Sequence, residues 1–152
     1  MEKIVVGIDG SDASKGALGW AVEDARARGA EVVALHAYEV VVPVTDAVPT
    51  APIDLPGLTA EIQEDAQQLV TKIVDEVVGN SVSVDVAPIA VEDSPAKALL
   101  DAARDADLLV VGSHGHGLSG RLFLGSVSLE CAQHAACPVV IFRGSAQPER
   151  PT

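Results

Sequence analysis

Short, uninterrupted apolar runs recur along this chain, and segments with helical periodicity separate them. We predict five strands, at residues 3–8, 31–42, 82–91, 108–111 and 138–142. Strands buried on both faces, as in parallel sheets, show continuous runs of this kind, whereas the partial alternation within residues 82–91 is typical of a strand near an edge. Strands that alternate with helices predict an α/β fold, here a single-domain open sheet, mostly parallel, with helices on both faces.

Helical spacing of apolar residues predicts four helices between the strands, at about residues 12–29, 58–78, 94–106 and 126–135. Ser11 or Asp12 can cap the first helix, and Ser94 followed by Pro95 is typical of a helix start. The four prolines between residues 43 and 57 favour a loop, because proline fixes φ and removes a hydrogen-bond donor. We expect one domain over residues 1–143 and a flexible polar tail over residues 144–152.

Charge and the length of the apolar runs exclude several classes of protein. The chain has 22 acidic and 10 basic residues, and a formal net charge of −12 would repel a nucleic-acid backbone. The apolar runs are too short to span a bilayer, and the N-terminus lacks the longer apolar stretch of a signal peptide. Cys131 and Cys137 lie too close together for a disulfide framework, so we expect free, reduced cysteines. These features predict a cytoplasmic protein without nucleic-acid or membrane partners.

Two unusual loops follow the first and the fourth predicted strands. Asp9-Gly10-Ser11 comes after the first strand, and a glycine-rich segment over residues 112–125 comes after the fourth. In open α/β sheets, ligands bind beyond the carboxyl ends of the strands, where the strand order reverses. If the two strands are neighbours, one loop supplies a carboxylate and the other supplies backbone amides and hydroxyls, and this combination suits a nucleotide.

The glycine-rich segment has the chemistry of a phosphate site. Its glycines let backbone N–H groups approach phosphate oxygens closely, and Ser126 and Ser128 begin a helix whose N-terminus favours anions. Asp9 can hold Mg²⁺ or accept a hydrogen bond from a ribose or an amide. The alternative interpretation is that these glycines only form sharp turns.

Other motifs in the segment give weaker predictions. Gly115-His116-Gly117-Leu118-Ser119-Gly120 matches G-x-G-x-x-G, but it follows the fourth strand and no acidic residue lies about twenty positions further on. We therefore discount a Rossmann dinucleotide site. Gly120-x₄-Gly125-Ser126 lacks the lysine of a Walker A loop. His114 and His116 have no evident third metal ligand, and hydrogen bonding to phosphate or solvent is the preferred interpretation.

The spacing Gly112-x₂-Gly115-x₉-Gly125-Ser126 resembles the signature of the universal stress proteins, specifically their ATP-binding branch. Residues 4–11 resemble the first strand of that family with its aspartate, and residues 32–37 and 137–141 resemble its second and last strands. The resemblance extends from Lys3 to Arg143. It implies the strand order 3-2-1-4-5 of the adenine nucleotide alpha hydrolase-like fold.

The resemblance also implies a ligand and the residues that bind it. The ligand is ATP, with Mg²⁺ as an accompanying ion. Asp9 would lie near the adenine and ribose or the metal, the backbone of Ala37 would pair with the adenine edge, and Gly112 and Gly115 would line the ribose and phosphates. The phosphate chain would be bound by the residues that begin the fourth helix, Gly125, Ser126, Val127 and Ser128.

Members of this family commonly dimerise through the last strand, so the resemblance implies a homodimer through Val139, Val140 and Ile141. Physical chemistry agrees, because an exposed apolar strand edge is an aggregation hazard unless it is paired.

We expect an ATP-binding regulatory module of the stress response, acting on an unidentified protein partner. No lysine clamp, catalytic base or arginine finger can be assigned, so ATP hydrolysis would be slow at most. Two alternatives stay open: a slow ATPase or nucleotidyl-transfer enzyme that uses the same crevice, and a dimeric interaction protein that binds no nucleotide.

Overall fold

The computed structural model describes residues 2–40, 54–79, 83–114 and 124–144. In these ranges five strands alternate with four helices. The elements are β1 (Lys3–Gly7), α1 (Asp12–Arg28), β2 (Glu31–Tyr38), α2 (Leu55–Val78), β3 (Val86–Glu92), α3 (Pro95–Ala103), β4 (Leu108–Gly112), α4 (Ser126–His134) and β5 (Val139–Phe142). The strands form one parallel sheet of order β3-β2-β1-β4-β5, which confirms the predicted fold class and strand order.

The central strand β1 shows why its sequence is continuously apolar. Ile4 and Val6 pack in a cluster with residues of α1 and α2, whereas Val5 between them packs on the opposite face with residues of α3 and α4. All three side chains are at most 1% exposed. Because successive side chains of a strand point to opposite faces, a sheet covered on both sides needs apolar residues at every position.

Helix α2 begins earlier than its periodicity predicts. The sequence indicated a loop up to Gly57, but α2 starts at Leu55 with Asp54 as its N-cap. The Asp54 carboxylate accepts a hydrogen bond from the Gly57 amide at 3.1 Å, and Pro56 occupies the first turn, where no N–H is needed. The loop prediction is therefore wrong for residues 55–57, and residues 43–53 lie outside the described ranges.

The other boundary differences follow from strand pairing and from the end of α3. Strand β2 ends at Tyr38 instead of residue 42, because Tyr38 is the last residue that pairs with β3. Strand β3 begins at Val86, where that pairing starts, and residues 80–82 are not described. Helix α3 ends at Ala103 instead of residue 106. The predicted tail lies beyond the described residues except for Gly144.

In the ranges that the structure describes, no helix combines the length and the apolar character that crossing a membrane requires.

Candidate functional site

A cavity of about 270 Å³ lies at the carboxyl end of the sheet, where β1 and β4 are neighbours. The strand order reverses between these two strands, which is the position where open α/β sheets bind ligands. Gly115 lies outside the described residues. All the other predicted site residues line the cavity, namely Asp9, Ala37, Gly112, Gly125, Ser126, Val127 and Ser128.

The turn between β1 and α1 is organised by its own hydrogen bonds. Asp9 accepts hydrogen bonds through Oδ1 from the Ser11 amide, at 2.9 Å, and from the Ser11 hydroxyl. The Ser11 hydroxyl in turn accepts from the Ser14 amide at 3.2 Å and so caps α1. Gly10 has a φ of 84°, which the turn requires and which other residues rarely adopt. These bonds hold the exposed Asp9 carboxylate at the rim of the cavity.

Gly112 ends β4 against the first turn of α1. A Cβ at this position would lie 2.9 Å from Cβ of Ala13 and 3.0 Å from its carbonyl carbon. Backbone cannot move aside as the end of a long side chain can, so the glycine is what allows α1 to approach β4 this closely. The sequence singled out Gly112 for ligand contact and missed this packing role, which depends on a residue 99 positions earlier in the chain.

Ser113 and Ser128 hold together the two ends of the glycine-rich segment. The Ser113 carbonyl accepts a hydrogen bond from the Gly125 amide at 2.7 Å, and the Ser113 amide donates to the Phe142 carbonyl at 2.9 Å. The buried Ser128 hydroxyl lies 3.1 Å from the Ser113 carbonyl and 2.9 Å from the Gly125 carbonyl. Its proton therefore faces backbone acceptors, and this hydroxyl fixes the start of α4 relative to β4.

The N-terminus of α4 carries no side-chain cap. Its N-cap residue is Gly125, which has no side chain to accept a hydrogen bond, whereas Ser11 caps α1 and Asp54 caps α2. The first amides of a helix have no partner within the helix, and the helix dipole adds partial positive charge there. The backbone amides of Ser126, Val127 and Ser128 are therefore suited to an anion at the cavity.

The wall between β2 and α3 is apolar. It contains Leu35 and Ala37 of β2, Pro95 and Leu99 of α3, and Val127 of α4. Such a surface suits a flat, weakly polar ring. The sequence analysis predicted Ala37 and Val127 as ligand-binding residues and missed the others. A local sequence pattern does not show which helix packs beside β2.

The backbone of Ala37 is oriented towards this space. The Leu35 carbonyl faces β1, since it accepts a hydrogen bond from the Ile8 amide at 2.8 Å. Alternate residues of a strand direct their polar groups to the same side, so the N–H and C=O of Ala37 point past Gly7, where β1 ends. A strand end of this kind can form hydrogen bonds with the polar edge of a base.

Two further predictions concern histidine and cysteine. His114 lines the cavity, whereas His116 lies outside the described residues. No group of three or more metal-ligating side chains occurs in the ranges 2–40, 54–79, 83–114 and 124–144. Cys131 is free, as predicted, and it is fully buried, which raises the pKa of its thiol to about 11. Cys137 is also free and half-buried, and burial likewise raises its pKa. Raised values disfavour the reactive thiolate.

Comparison with known proteins assigns the family. The sequence model of the universal stress protein family matches residues 1–143. The universal stress protein Rv2005c of Mycobacterium tuberculosis is 35% identical over 143 residues, which cover 93% of this chain and 45% of that protein. The chain spans about half the length of the curated relatives it matches.

Solved structures agree with this assignment. The universal stress protein UspA from Lactobacillus plantarum has a TM-score of 0.75 and 22% identity, with 93% of this chain and 97% of that chain covered. A universal stress protein in complex with cAMP has a TM-score of 0.64 and 27% identity, with 93% and 96% covered. The first likeness shows the fold, and the sequence matches show the relationship. The chain belongs to the universal stress protein family.

Proposed function

We propose that this chain binds an adenine nucleotide in the cavity between β1 and β4, and acts as a nucleotide-dependent regulatory module of the stress response. The observation that carries the proposal is the uncapped N-terminus of α4, which lines the same cavity as the Asp9 turn. The α4 amides can bind phosphate oxygens, and the Asp9 carboxylate borders the same cavity. ATP with Mg²⁺ is the form that the glycine spacing favours.

The base has a matching place on the apolar side. Leu35, Leu99 and Val127 form a wall for the ring, and the backbone of Ala37 faces its polar edge. A relative that is 27% identical was solved in complex with cAMP, which supports an adenine nucleotide as the class of ligand.

Asp9 fits a magnesium ion that accompanies phosphates. Mg²⁺ keeps several water molecules and is usually held by one or two carboxylates together with substrate phosphates. An exposed carboxylate at the cavity rim, fixed by Ser11, suits that mode of binding.

The cavity favours binding over turnover. The described residues that line it include no lysine or arginine, and Asp9 is the one acidic residue among them. Phosphoryl transfer relies on cationic groups to stabilise charge in the transition state. Hydrolysis would therefore be slow at most, and a slow ATPase or nucleotidyl-transfer enzyme is the second candidate.

Calorimetric titration of nucleotide-stripped protein with MgATP tests the proposal. We expect a dissociation constant from micromolar to tens of micromolar, near one site per chain, which corresponds to about −6 to −8 kcal/mol of binding free energy. The double variant Gly125→Ala with Ser126→Ala should abolish binding, because it crowds the amides and removes a hydroxyl at the start of α4. Gly125 has a φ of −65°, which alanine adopts without backbone strain, so the fold of the variant should persist.

Gly19→Ala with Ser83→Ala is the matched control, since both residues lie away from the cavity. It should bind MgATP as the natural sequence does. Unaltered affinity for MgATP in the Gly125–Ser126 variant would overturn the proposed site. Phosphate release at steady state would favour the second candidate, a slow ATPase.

A further inference from the structure

His36 of β2 makes a side-chain hydrogen bond that no local sequence pattern indicated. Its Nδ1 atom lies 2.8 Å from the carbonyl oxygen of Ile8, the residue that follows β1. A carbonyl oxygen only accepts hydrogen bonds, so Nδ1 must carry the proton and donate it. The half-buried imidazole is therefore fixed against the point where the chain leaves β1.

The hydrogen-bond ladder between β1 and β2 stops at this point. The two strands pair as far as Gly7 and Leu35, and the Ile8 amide still donates to the Leu35 carbonyl at 2.8 Å. The next bond of a regular parallel ladder would join the Ala37 amide to the Ile8 carbonyl. The pairing of β1 with β2 ends before that step, although β2 itself continues alongside β3 as far as Tyr38.

The imidazole takes the place of that missing bond. Ile8 is only 4% exposed, and a buried carbonyl without a donor is costly. The Ala37 amide and the His36 Nδ1–H are the two neighbouring donors, and it is the imidazole that contacts the Ile8 oxygen. The Ala37 amide borders the cavity and is therefore left for another acceptor.

We propose that His36 is a positioning residue of the cavity, which occupies the Ile8 carbonyl and thereby keeps the Ala37 amide free for the bound base. This inference rests on the proposed function, in which the backbone of Ala37 meets the polar edge of the ring. It goes further by naming the side chain that makes this backbone available and the base that it selects. Nitrogen N1 of adenine accepts a hydrogen bond, whereas N1 of hypoxanthine carries a proton and donates, so a free amide favours adenine.

Hydrogen exchange of the Ala37 amide in the nucleotide-free protein tests the ladder directly. His36→Phe keeps an aromatic ring without a donor, and His36→Asn keeps a side-chain N–H close to the place of Nδ1. In His36→Phe the Ala37 amide should pair with the Ile8 carbonyl and exchange about tenfold more slowly than in the natural sequence. A merely structural side chain would give the opposite result, because its loss loosens the strand. His36→Asn should exchange as the natural sequence does.

Affinities for AMP and IMP test the consequence for the ligand, because IMP carries hypoxanthine in place of adenine. The natural sequence should prefer AMP by about 10- to 100-fold, since in IMP two donors would face each other where AMP forms a hydrogen bond. His36→Phe should lose most of that preference, and His36→Asn should keep it. His134→Phe is the matched control, because His134 is exposed and does not line the cavity. It should change neither the exchange of the Ala37 amide nor the preference for AMP.

The outcomes separate this inference from the function on which it rests. If the Ala37 amide of His36→Phe exchanges as fast as that of the natural sequence, or faster, His36 does not hold the ladder open and the inference is overturned. An equal loss of affinity for AMP and IMP in that variant overturns it as well. If the natural sequence binds neither nucleotide, the proposed function fails and the selection of adenine fails with it, while the exchange comparison still decides whether His36 keeps the amide free.

A measurement on the natural sequence covers the case in which His36→Phe does not fold. Nitrogen-15 chemical shifts of labelled histidine distinguish a protonated ring nitrogen from a bare one. At about pH 8, where imidazole is ordinarily neutral, His36 should carry its proton on Nδ1 and none on Nε2. The opposite tautomer would leave no side-chain donor for the Ile8 carbonyl and would overturn the proposal.

Discussion

At the scale of single residues, Gly112 and Ser128 show how the cavity depends on packing as well as on ligand chemistry. Gly112 allows α1 to lie against the end of β4, and Ser128 joins α4 to the carbonyls of Ser113 and Gly125. Neither role involves a ligand. Both roles place the Asp9 turn and the α4 amides around the same space.

Gly112→Ala should destabilise the fold even without nucleotide. The added Cβ would lie within 3.0 Å of the Ala13 backbone, which must shift, and overpacking of this kind costs about 1–3 kcal/mol. Urea unfolding of the nucleotide-free protein measures this loss. Gly19→Ala is the control, because its Cβ would meet only Val77 Cγ1 at 3.9 Å and alanine favours a helix by about 0.5–1 kcal/mol. Equal stability of the Gly112 variant and the natural sequence would contradict the packing role.

At the scale of elements, the edge strand β3 is covered by a side chain of α2. Gln67 donates from Nε2 to the Pro88 carbonyl at 2.9 Å and accepts at Oε1 from the Ala90 amide at 3.1 Å. Its carboxamide therefore occupies the place of a neighbouring peptide group along that edge. Pro88 also fits an edge strand, where a missing N–H leaves no pairing position empty.

Gln67→Leu should lower the free energy of unfolding by about 1.5–4.5 kcal/mol, since three hydrogen bonds are lost, two to β3 and one to Thr71 Oγ1, at about 0.5–1.5 kcal/mol each. The Ala90 amide should also exchange its hydrogen faster with solvent. Gln68→Leu is a suitable control, because the neighbouring Gln68 side chain is exposed and donates from Nε2 to Glu64 of the same helix at 3.4 Å. If both variants unfold at the same urea concentration and exchange alike, the edge role of Gln67 is refuted.

At the scale of the whole molecule, the opposite edge strand, β5, is the proposed homodimer contact. All four of its residues are half-buried within the described chain, and Val140 and Phe142 pack partly on the cluster beneath α1. The Phe142 carbonyl faces β4, so the alternate residues Val139 and Ile141 direct their backbone groups away from the sheet. An apolar edge with outward backbone groups can pair with a second copy.

Sedimentation velocity should therefore give a species of twice the 15.6 kDa chain mass at micromolar concentration. Ile141→Pro should shift the population to monomer, because proline removes an outward donor at an edge position where it is tolerated. Circular dichroism checks that the variant keeps its fold. A natural sequence that sediments as a monomer throughout the concentration series would rule out the β5 homodimer.

The amino-acid sequence by itself determined the succession of strands and helices and seven of the sixteen described residues that line the cavity. Continuous apolar runs, helical spacing, caps such as Ser11 and the glycine spacing are local patterns, and local backbone physics interprets them directly. Even the early start of α2 has a local cause, the Asp54 cap on Gly57. The sequence also predicted that the Asp9 turn and the glycine-rich segment form one site if β1 and β4 are neighbours, and the family resemblance implied that they are.

Only the tertiary structure decided which distant residues complete those patterns. The approach of Ala13 to Gly112, the apolar wall from Pro95 and Leu99, and the cover of β3 by Gln67 all join positions far apart in the chain. Such contacts depend on how helices cross the sheet, and that crossing is set by the simultaneous packing of both faces. No window of neighbouring residues contains that information.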